Sequence, residues 1–253
     1  MKFKVLTFNV HKFRHPLFRK YLLKELKTEL KKQDLHLVCL QELIGIHPIK
    51  QKEDFDKDPL EHLADEIWTH FAYGKNAVYP KGHHGNAILS YYPINIYSNY
   101  NVSNHAWEQR GILHAEILID NLYPLDIFTL HFDLSEWGRQ KQVTELLRIL
   151  DPFLKNNRPV IVTGDFNDWR LQSHKRLLVS GLQECAMIRS AKLQPTFPSV
   201  YPFLALDRIY YSGGLKCVDT KVLPEKEWRH MSDHLPLYAE FEYDPLSKSS
   251  EEG

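Results

Sequence analysis

The sequence predicts an α/β fold of the α+β type: two packed, mostly antiparallel sheets with helices on their outer faces. Three observations lead there. Segments with strand character far outnumber those with helical character in the 253-residue chain. Neighbouring strand candidates such as 111–119 and 125–131 are joined by short links, which implies antiparallel hairpins and not an unbroken series of strand–helix–strand units. The chain is also 43% hydrophobic and 25% charged, so it can bury a full-sized core as one domain.

Taken in order, residues 3–8 read as a strand, with Phe, Val and Phe on one face and Lys, Leu and Thr on the other. A helix follows, because Leu17, Tyr21, Leu22, Leu26 and Leu30 recur at helical spacing. Arg19, Lys20, Lys24, Lys27 and Lys31 fill the rest of that helix as a solvated face. LHLVCL at 35–40 is a second strand, and the polar stretch 43–60 is expected to be an exposed loop. Further strands are expected at 71–79, 86–90, 95–102, 111–119, 125–131, 159–164, 206–211, 216–223 and 237–243. Helical periodicity returns over 136–154 through Val143, Leu146, Leu147, Leu150 and Phe153, and more weakly over 173–180. There is no internal repeat, and the terminal SKSSEEG has a disordered composition, so one domain over 1–243 with a tail over 244–253 is expected.

Lys plus Arg and Asp plus Glu are equal at 32 each, so no overall positive field exists to hold a polyanion nonspecifically. Any anionic substrate must be captured locally. Cys39, Cys185 and Cys217 are widely spaced and form no CxxC pair, which argues against a disulfide framework or thiolate zinc site and fits a reducing compartment. The N-terminus is too polar for a signal peptide, and no window approaches the roughly 20 apolar residues of a membrane span. A cytoplasmic monomer without stable membrane insertion is the expectation.

The stretch PVIVTGDFNDW at 159–169 stands out, since a run built for a buried strand, with a turn glycine, stops abruptly in Asp165, Asn167 and Asp168. It has company. TFN ends at Asn9, LQE at Glu42 and TLH at His131, while LDR carries Asp207 and SDH carries Asp233 and His234. Any one of these could be a turn-former or cap. Their recurrence at strand ends points instead to side chains aimed from several strands at one rim. Asn, Glu and Asp are hard oxygen ligands suited to Mg2+ or Mn2+, and no His/Cys cluster at zinc spacing competes. Metal-assisted hydrolysis of a phosphate ester needs such parts: a cation on the phosphoryl oxygens, a base for water and donors to the developing charge.

The ordered set TFN, CLQE, GNAILS, TLH, GDFN, LDRIYY and SDHLP resembles the endonuclease/exonuclease/phosphatase superfamily, the fold of deoxyribonuclease I, and covers about residues 3 to 243. FAYGKNAVYPKGHHGNAILSYYPI and GDFNDWR are similar to an uncharacterised bacterial branch of it. The resemblance implies a four-layer sandwich with the site at one edge. It implies that Glu42 is the principal metal ligand with Asn9 beside it, and that Asp233 is a further metal or histidine-positioning acid. It also implies that Asp207 orients His234, with His234 the first and Asp165 the second choice of base. Asn167 would donate to a nonbridging phosphate oxygen, and His131 to the same group or the transition state. Arg110 falls where relatives carry a phosphate-contacting arginine, a role its bidentate fork suits, with a surface salt bridge as the alternative. Asn86 is expected to support substrate binding, and His83 and His84 to be loop residues. Val10 and His11 depart from the repair-nuclease pattern, which carries an acidic residue there, and this speaks against abasic-site cleavage. Trp107, Trp137, Trp169 and Trp228 lie near site motifs and suit either a stacking or lipid-contacting rim or core packing.

The resulting expectation is a divalent-metal-dependent phosphoesterase, with diesters favoured over monoesters. A nucleic acid, a nucleotide or a phospholipid head group would be the partner. A noncatalytic binding protein of the same fold is the alternative from another class, but such a protein would usually lack a metal carboxylate or the base. A metal-free carbohydrate hydrolase would leave the GDFN asparagine and the SDH histidine without a task.

Overall fold

The structure, a computed structural model, describes residues 1–13, 19–45, 59–64, 67–79, 82–105 and 109–244. Most of the loop expected over 43–60, Leu17 of the first helix, Trp107 and nearly all of the tail lie outside the described residues.

The first half of the chain supplies β1 (Lys2–Asn9), a short 3-10 turn at His11–Phe13, α1 (Arg19–Lys32), β2 (Leu37–Ile44), α2 (Pro59–Ala64), β3 (His70–Tyr79), β4 (Gly82–Ser90), β5 (Ile94–Asn101), β6 (Gly111–Ile119) and β7 (Tyr123–His131). The second half supplies α3 (Glu136–Lys155), β8 (Val160–Asp165), α4 (Gln172–Val179), β9 (Gln183–Glu184), α5 (Cys185–Ser190), β10 (Asp207–Ser212), β11 (Leu215–Val222), α6 (Lys226–Met231) and β12 (Leu237–Tyr243). Two six-stranded sheets result, one ordered β11-β12-β1-β2-β4-β3 and the other β5-β6-β7-β8-β10-β9. Phe3, Val5, Leu113, Ile127, Ile209 and Phe241 belong to the core between the sheets. Leu23, Leu26 and Leu30 of α1 cover the outer face of the first sheet, and Val143, Leu146 and Leu150 of α3 cover that of the second. The four-layer sandwich is therefore built as helix, sheet, sheet, helix.

Alternation decides which side chain enters which layer. Successive strand residues point to opposite faces, so Phe8 shares a face with Leu6 in the helix-covered layer and not with Phe3 and Val5 between the sheets. The expected grouping of both phenylalanines is corrected accordingly. Strand β4 starts at Gly82, so His83 and His84, expected in a loop, are strand residues paired with Val78 and Ala77. Short pieces such as β9, α2, α5 and α6 carry too few residues to show a period.

Two parallel pairs set the location of the site. Every pairing among the described strands is antiparallel except β1 with β2 and β7 with β8. A parallel pair needs a crossover, supplied by α1 in one case and α3 in the other. In register, Asn9 lies opposite Gln41 and His131 opposite Asp165. Strand β10 then begins antiparallel to β8 with Asp207 opposite Asp165. Strand β12 begins with Leu237 opposite Thr7, which brings Asp233 and His234 just ahead of it to the same edge. The central strand β8 is buried along its whole length, as a strand covered on both faces must be. Gly164 lies inside it and not in a turn. A Cβ there would come 2.0 Å from the Leu130 carbonyl oxygen, and its φ is +137°, so close approach of β7 and β8 requires glycine.

Phe241 is fully buried and packs on Phe3 and Tyr211, with ring centroids 5.6 and 5.4 Å away. Phe241→Ala should lower unfolding free energy by about 3–5 kcal/mol in urea titrations. Glu184, buried at the start of α5, accepts the Met187 N–H, yet burial raises its pKa from the ordinary 4.5 to about 7. The folded chain then holds a proton that the unfolded chain has released. Stability should fall by roughly 3 kcal/mol as pH rises from 4.5 to 7 and stay level above. Glu184→Gln should flatten that slope in pH-dependent unfolding curves.

Candidate active site

The strand ends meet in a cleft of about 450 Å³ lined by Asn9, Glu42, Arg110, His131, Asp165, Asn167, Asp233 and His234, all expected from the sequence. His11, Lys12, Ala77, His84, Gln109, Leu134, Trp169, Phe197, Leu204 and Leu206 complete the lining. Asp207 stands behind it, buried.

Asp165 is the centre of the polar network. Its Oδ2 accepts from Asn9 Nδ2 at 3.0 Å, and its Oδ1 from the Asn167 backbone N–H at 3.0 Å. His131 Nε2 and His234 Nε2 approach Oδ2 at 3.4 and 3.7 Å. Burial, with the Asp207 carboxylate nearby, pushes Asp165 up from the usual carboxylate range against the pull of His234. His234 completes a relay: its Nδ1 lies 2.8 Å from Asp207 Oδ2, and the same oxygen accepts the Thr196 hydroxyl at 2.6 Å. Burial opposes a charge on that imidazole, but Asp207 and Asp165 outweigh it and raise its pKa. The Phe197 ring packs on the imidazole at 5.0 Å between centroids.

His131 carries the opposite charge state. Burial, then the neighbouring Arg110, hold its pKa well below the ordinary value. Arg110 Nη1 lies 3.1 Å from His131 Nδ1. A guanidinium has only donors, so Nδ1 must be the acceptor and the ring proton sits on Nε2, facing Asp165. His84 is likewise held neutral, pushed down to about 4 by burial and by Lys12.

Glu42 is not at the end of a finished strand, as expected, but inside β2 at a bulge. The register with β4 slips between Leu40 and Leu43, and Glu42 takes a left-handed φ of 55°. A bulge re-aims a side chain. Here the carboxylate lies 3.2 Å from Lys12 Nζ and 3.6 Å from His131 Nδ1. On the neighbouring turn, His11 Nδ1 lies 2.7 Å from Asp233 Oδ1, and the His11 N–H donates to Asn9 Oδ1 at 2.9 Å.

One expected site residue, Asn86, and Asp168 of the GDFND run stand outside the cleft lining. Asn86 is buried outside the cleft lining, where its Nδ2 donates to the carbonyls of Gly111 and Thr129 at 3.0 and 3.4 Å. It ties β4 of one sheet to β6 and β7 of the other just behind Arg110, supporting the cleft through hydrogen bonds from between the sheets. Asp168 of the GDFND run turns away from the cleft, accepting the N–H groups of Gln172 and His174 and pairing with Arg208 at 3.1 Å. Trp228 is fully buried against Phe8, a core residue, whereas Trp137 and Trp169 are exposed. Sequence reasoning missed Lys12, Thr196 and Phe197. Lys12 was signalled by its closeness to Asn9, but Thr196 and Phe197 come from a loop with no periodicity and meet the site only through folding.

The donor set suits a hard divalent cation. Asn9, Glu42, Asp165 and Asp233 present amide and carboxylate oxygens to one cleft, and Asp207 Oδ1 is buried with no hydrogen-bond partner. Ligand atoms of Asp165, Asp207 and His234 also lie within 4.8 Å of one another. His234 also hydrogen-bonds Asp207 within that trio, and Glu42 and Asn9, lining the same cleft, are further oxygen donors that could hold a cation.

The family model for the endonuclease/exonuclease/phosphatase family matches residues 6–234. The uncharacterised protein YbhP of Escherichia coli strain K12 is 42% identical over 243 residues, covering 94% of this chain and 95% of its own. Among solved structures, an endonuclease/exonuclease/phosphatase from Beutenbergia cavernae superposes with a TM-score of 0.78 at 17% identity, covering 96% of this chain and 72% of that one. The human Nocturnin catalytic domain with bound sulfate superposes at 0.76 and 18% identity, covering 96% and 94%. The fold, the order of the site motifs and the span of that family match lead to one assignment: this chain belongs to the endonuclease/exonuclease/phosphatase family.

Proposed function

We propose that the protein is a divalent-metal-dependent phosphoesterase that hydrolyses a phosphodiester by attack of water. One observation carries the reading: Glu42, Arg110, Asp165 and His234 line one cleft, with the buried Asp207 behind His234. The family's name and the sulfate held by the Nocturnin domain support a phosphate-directed site.

Glu42 and Asn9, with Asp233 close by, would hold Mg2+ or Mn2+, which when bound neutralises charge on the phosphoryl oxygens. The protein's own groups do the rest. Arg110 offers a cationic fork to the phosphate, and its bond to His131 fixes the imidazole so that Nε2–H donates toward the reaction centre. Asn167 is held by its side-chain bond to the Phe132 carbonyl at 3.1 Å, which leaves a second amide N–H for a nonbridging oxygen. As water adds to phosphorus its proton goes to the pair formed by Asp165 and His234, and the ester oxygen departs to become an alcohol by taking a proton from bulk water. Burial of the acid and the Asp207 bond to the imidazole bias the two groups toward sharing one proton, so the pair as a unit is the base. The apolar lining of Leu134, Trp169, Phe197, Leu204 and Leu206 gives an ester substituent beyond the phosphate a surface to pack on.

Purified protein should hydrolyse bis-p-nitrophenyl phosphate with Mg2+ or Mn2+, run faster on it than on p-nitrophenyl phosphate, and stop in EDTA. Lack of turnover of any phosphoester, with intact metal binding, would refute the enzyme reading. Glu42→Ala should raise the Mn2+ concentration needed for half-maximal rate at least about tenfold. Asp207→Asn should lower kcat by about 10² to 10⁴ with little change in KM, measured by steady-state kinetics, because it disturbs proton transfer and not binding.

A further inference from the structure

The cleft opens between two loops that carry large apolar side chains into solvent. Val200, Tyr201 and Phe203 are 74%, 79% and 64% exposed, and Leu134 and Trp137 are both 57% exposed. The first group rides on the segment from Phe197 to Leu204, whose two ends line the cleft. The second begins just after His131 at the end of β7 and reaches the first turn of α3.

Their exposure is built in. The 197–204 loop is closed by the bridge between Phe197 and Leu204, with Leu204 N–H on the Phe197 carbonyl at 2.9 Å and Thr196 N–H on the Leu204 carbonyl at 2.9 Å. It is anchored again by the Ser199 N–H on the Asp233 carbonyl and the Ser199 hydroxyl on the Ser232 carbonyl, both at 2.7 Å. So many backbone bonds leave the loop no easy way to fold its apolar tip inward. An apolar group of this kind beside a cleft marks an interaction site. A cation from a neighbouring helix stands beside each apolar group: Lys141 of α3 has its Nζ 3.6 Å from the Trp137 ring centroid, and Arg229 of α6 donates to the Val200 carbonyl at 3.4 Å.

We propose that this rim docks on the surface of a phospholipid bilayer and that the cleft takes a phospholipid head-group phosphodiester. The lipid identity rests on the phosphoesterase reading; the docking surface does not. Trp and Tyr rings favour the level of the head groups, apolar tips enter the acyl boundary, and Lys or Arg behind them meet lipid phosphates. A lipid's phosphate lies at that same level, so a cleft framed by the two loops receives it without extraction of the lipid. A polynucleotide fits less well. The chain has no excess of Lys and Arg, with 32 of each sign of charge, and among the described residues these two loops carry apolar tips where a phosphate backbone would need a basic track. Membrane contact here is peripheral, since no described helix is long and apolar enough to cross a bilayer.

The full chain, in EDTA to block turnover, should co-sediment with vesicles of phosphatidylethanolamine and phosphatidylglycerol and also of phosphatidylcholine, and high salt should not release it. The double substitution Tyr201→Ser, Phe203→Ser should weaken partition at least about tenfold, since each buried side chain of this size contributes that much or more. Trp137→Ser, on the other loop, should weaken it as well. Both variants should keep the parent's unfolding midpoint and its rate on bis-p-nitrophenyl phosphate. Failure of the parent to bind either vesicle, or equal binding by the variants, overturns the proposal. So does a parent dimer in light scattering that the same substitutions dissociate without any vesicle binding, which would assign the loops to a second copy. Single-stranded DNA binding lost in the variants, with no vesicle binding by the parent, would assign them to nucleic acid. Loss of vesicle binding in the variants of a protein with no turnover would leave the docking surface standing and the enzyme reading refuted.

Discussion

A carboxylate at 1% exposure, Asp165, is the constraint around which the site is organised. An ionised acid buried at that depth is costly unless other groups compensate it. Its compensation comes from across the fold: Asn9 at the end of β1 in the other sheet, the backbone of Asn167, His131 at the end of β7 and His234 ahead of β12. None of these contacts survives a slip of one residue in the register of β1, β7 or β8, because a slip turns each side chain to the opposite face. The polar bridge behind the cleft works in the same sense. Gln41 Nε2 donates to Thr129 Oγ1 at 2.8 Å and to Thr7 Oγ1 at 3.0 Å, linking the two sheets alongside the bonds of Asn86 and Asn9.

The chemistry follows from how two imidazoles in one cleft are driven apart. His131 faces a guanidinium and is held neutral, with its proton on a defined nitrogen. His234 faces two carboxylates and is held charged. The same side-chain type is thus held neutral at one position and charged at another within one pocket, by environment alone. Four of the ten described non-glycine residues with left-handed φ line the cleft. His11, Lys12, Glu42 and Asn167 all adopt left-handed φ between 45° and 55°, a conformation that costs residues with a Cβ about 1 kcal/mol or more each. The surrounding strands hold these conformations, and each of them aims a polar side chain at the cleft.

The family's fold serves many substrates, so the scaffold says which bond type is attacked and not which molecule carries it. That choice falls to whatever frames the cleft. Among the described residues that frame includes two loops with apolar tips, one rooted beside His131 and the other between Thr196, which bonds Asp207, and Leu206. Thr196, at the root of the second loop, thus joins it to the buried Asp207 by a single hydrogen bond.

Much of this was legible in the sequence. Alternating and helical periodicities marked the long strands and the helices α1 and α3, because burial of one face imposes them directly on residue order. The motifs named Asn9, Glu42, His131, Asp165, Asn167, Asp207 and His234, since chemistry restricts which residue types can do the work. Tertiary structure decided what depends on partners distant in the chain. Only the pairing of β2 with β4 showed that Glu42 sits on a bulge, and only the packing of the sheets turned Asn86 to the carbonyls of Gly111 and Thr129. Thr196 and Phe197 joined His234 and Asp207 without any local pattern to announce them. Residue order records what each segment must bury; the charge state of a histidine or the aim of a carboxylate is fixed by neighbours that folding alone brings within a few ångströms.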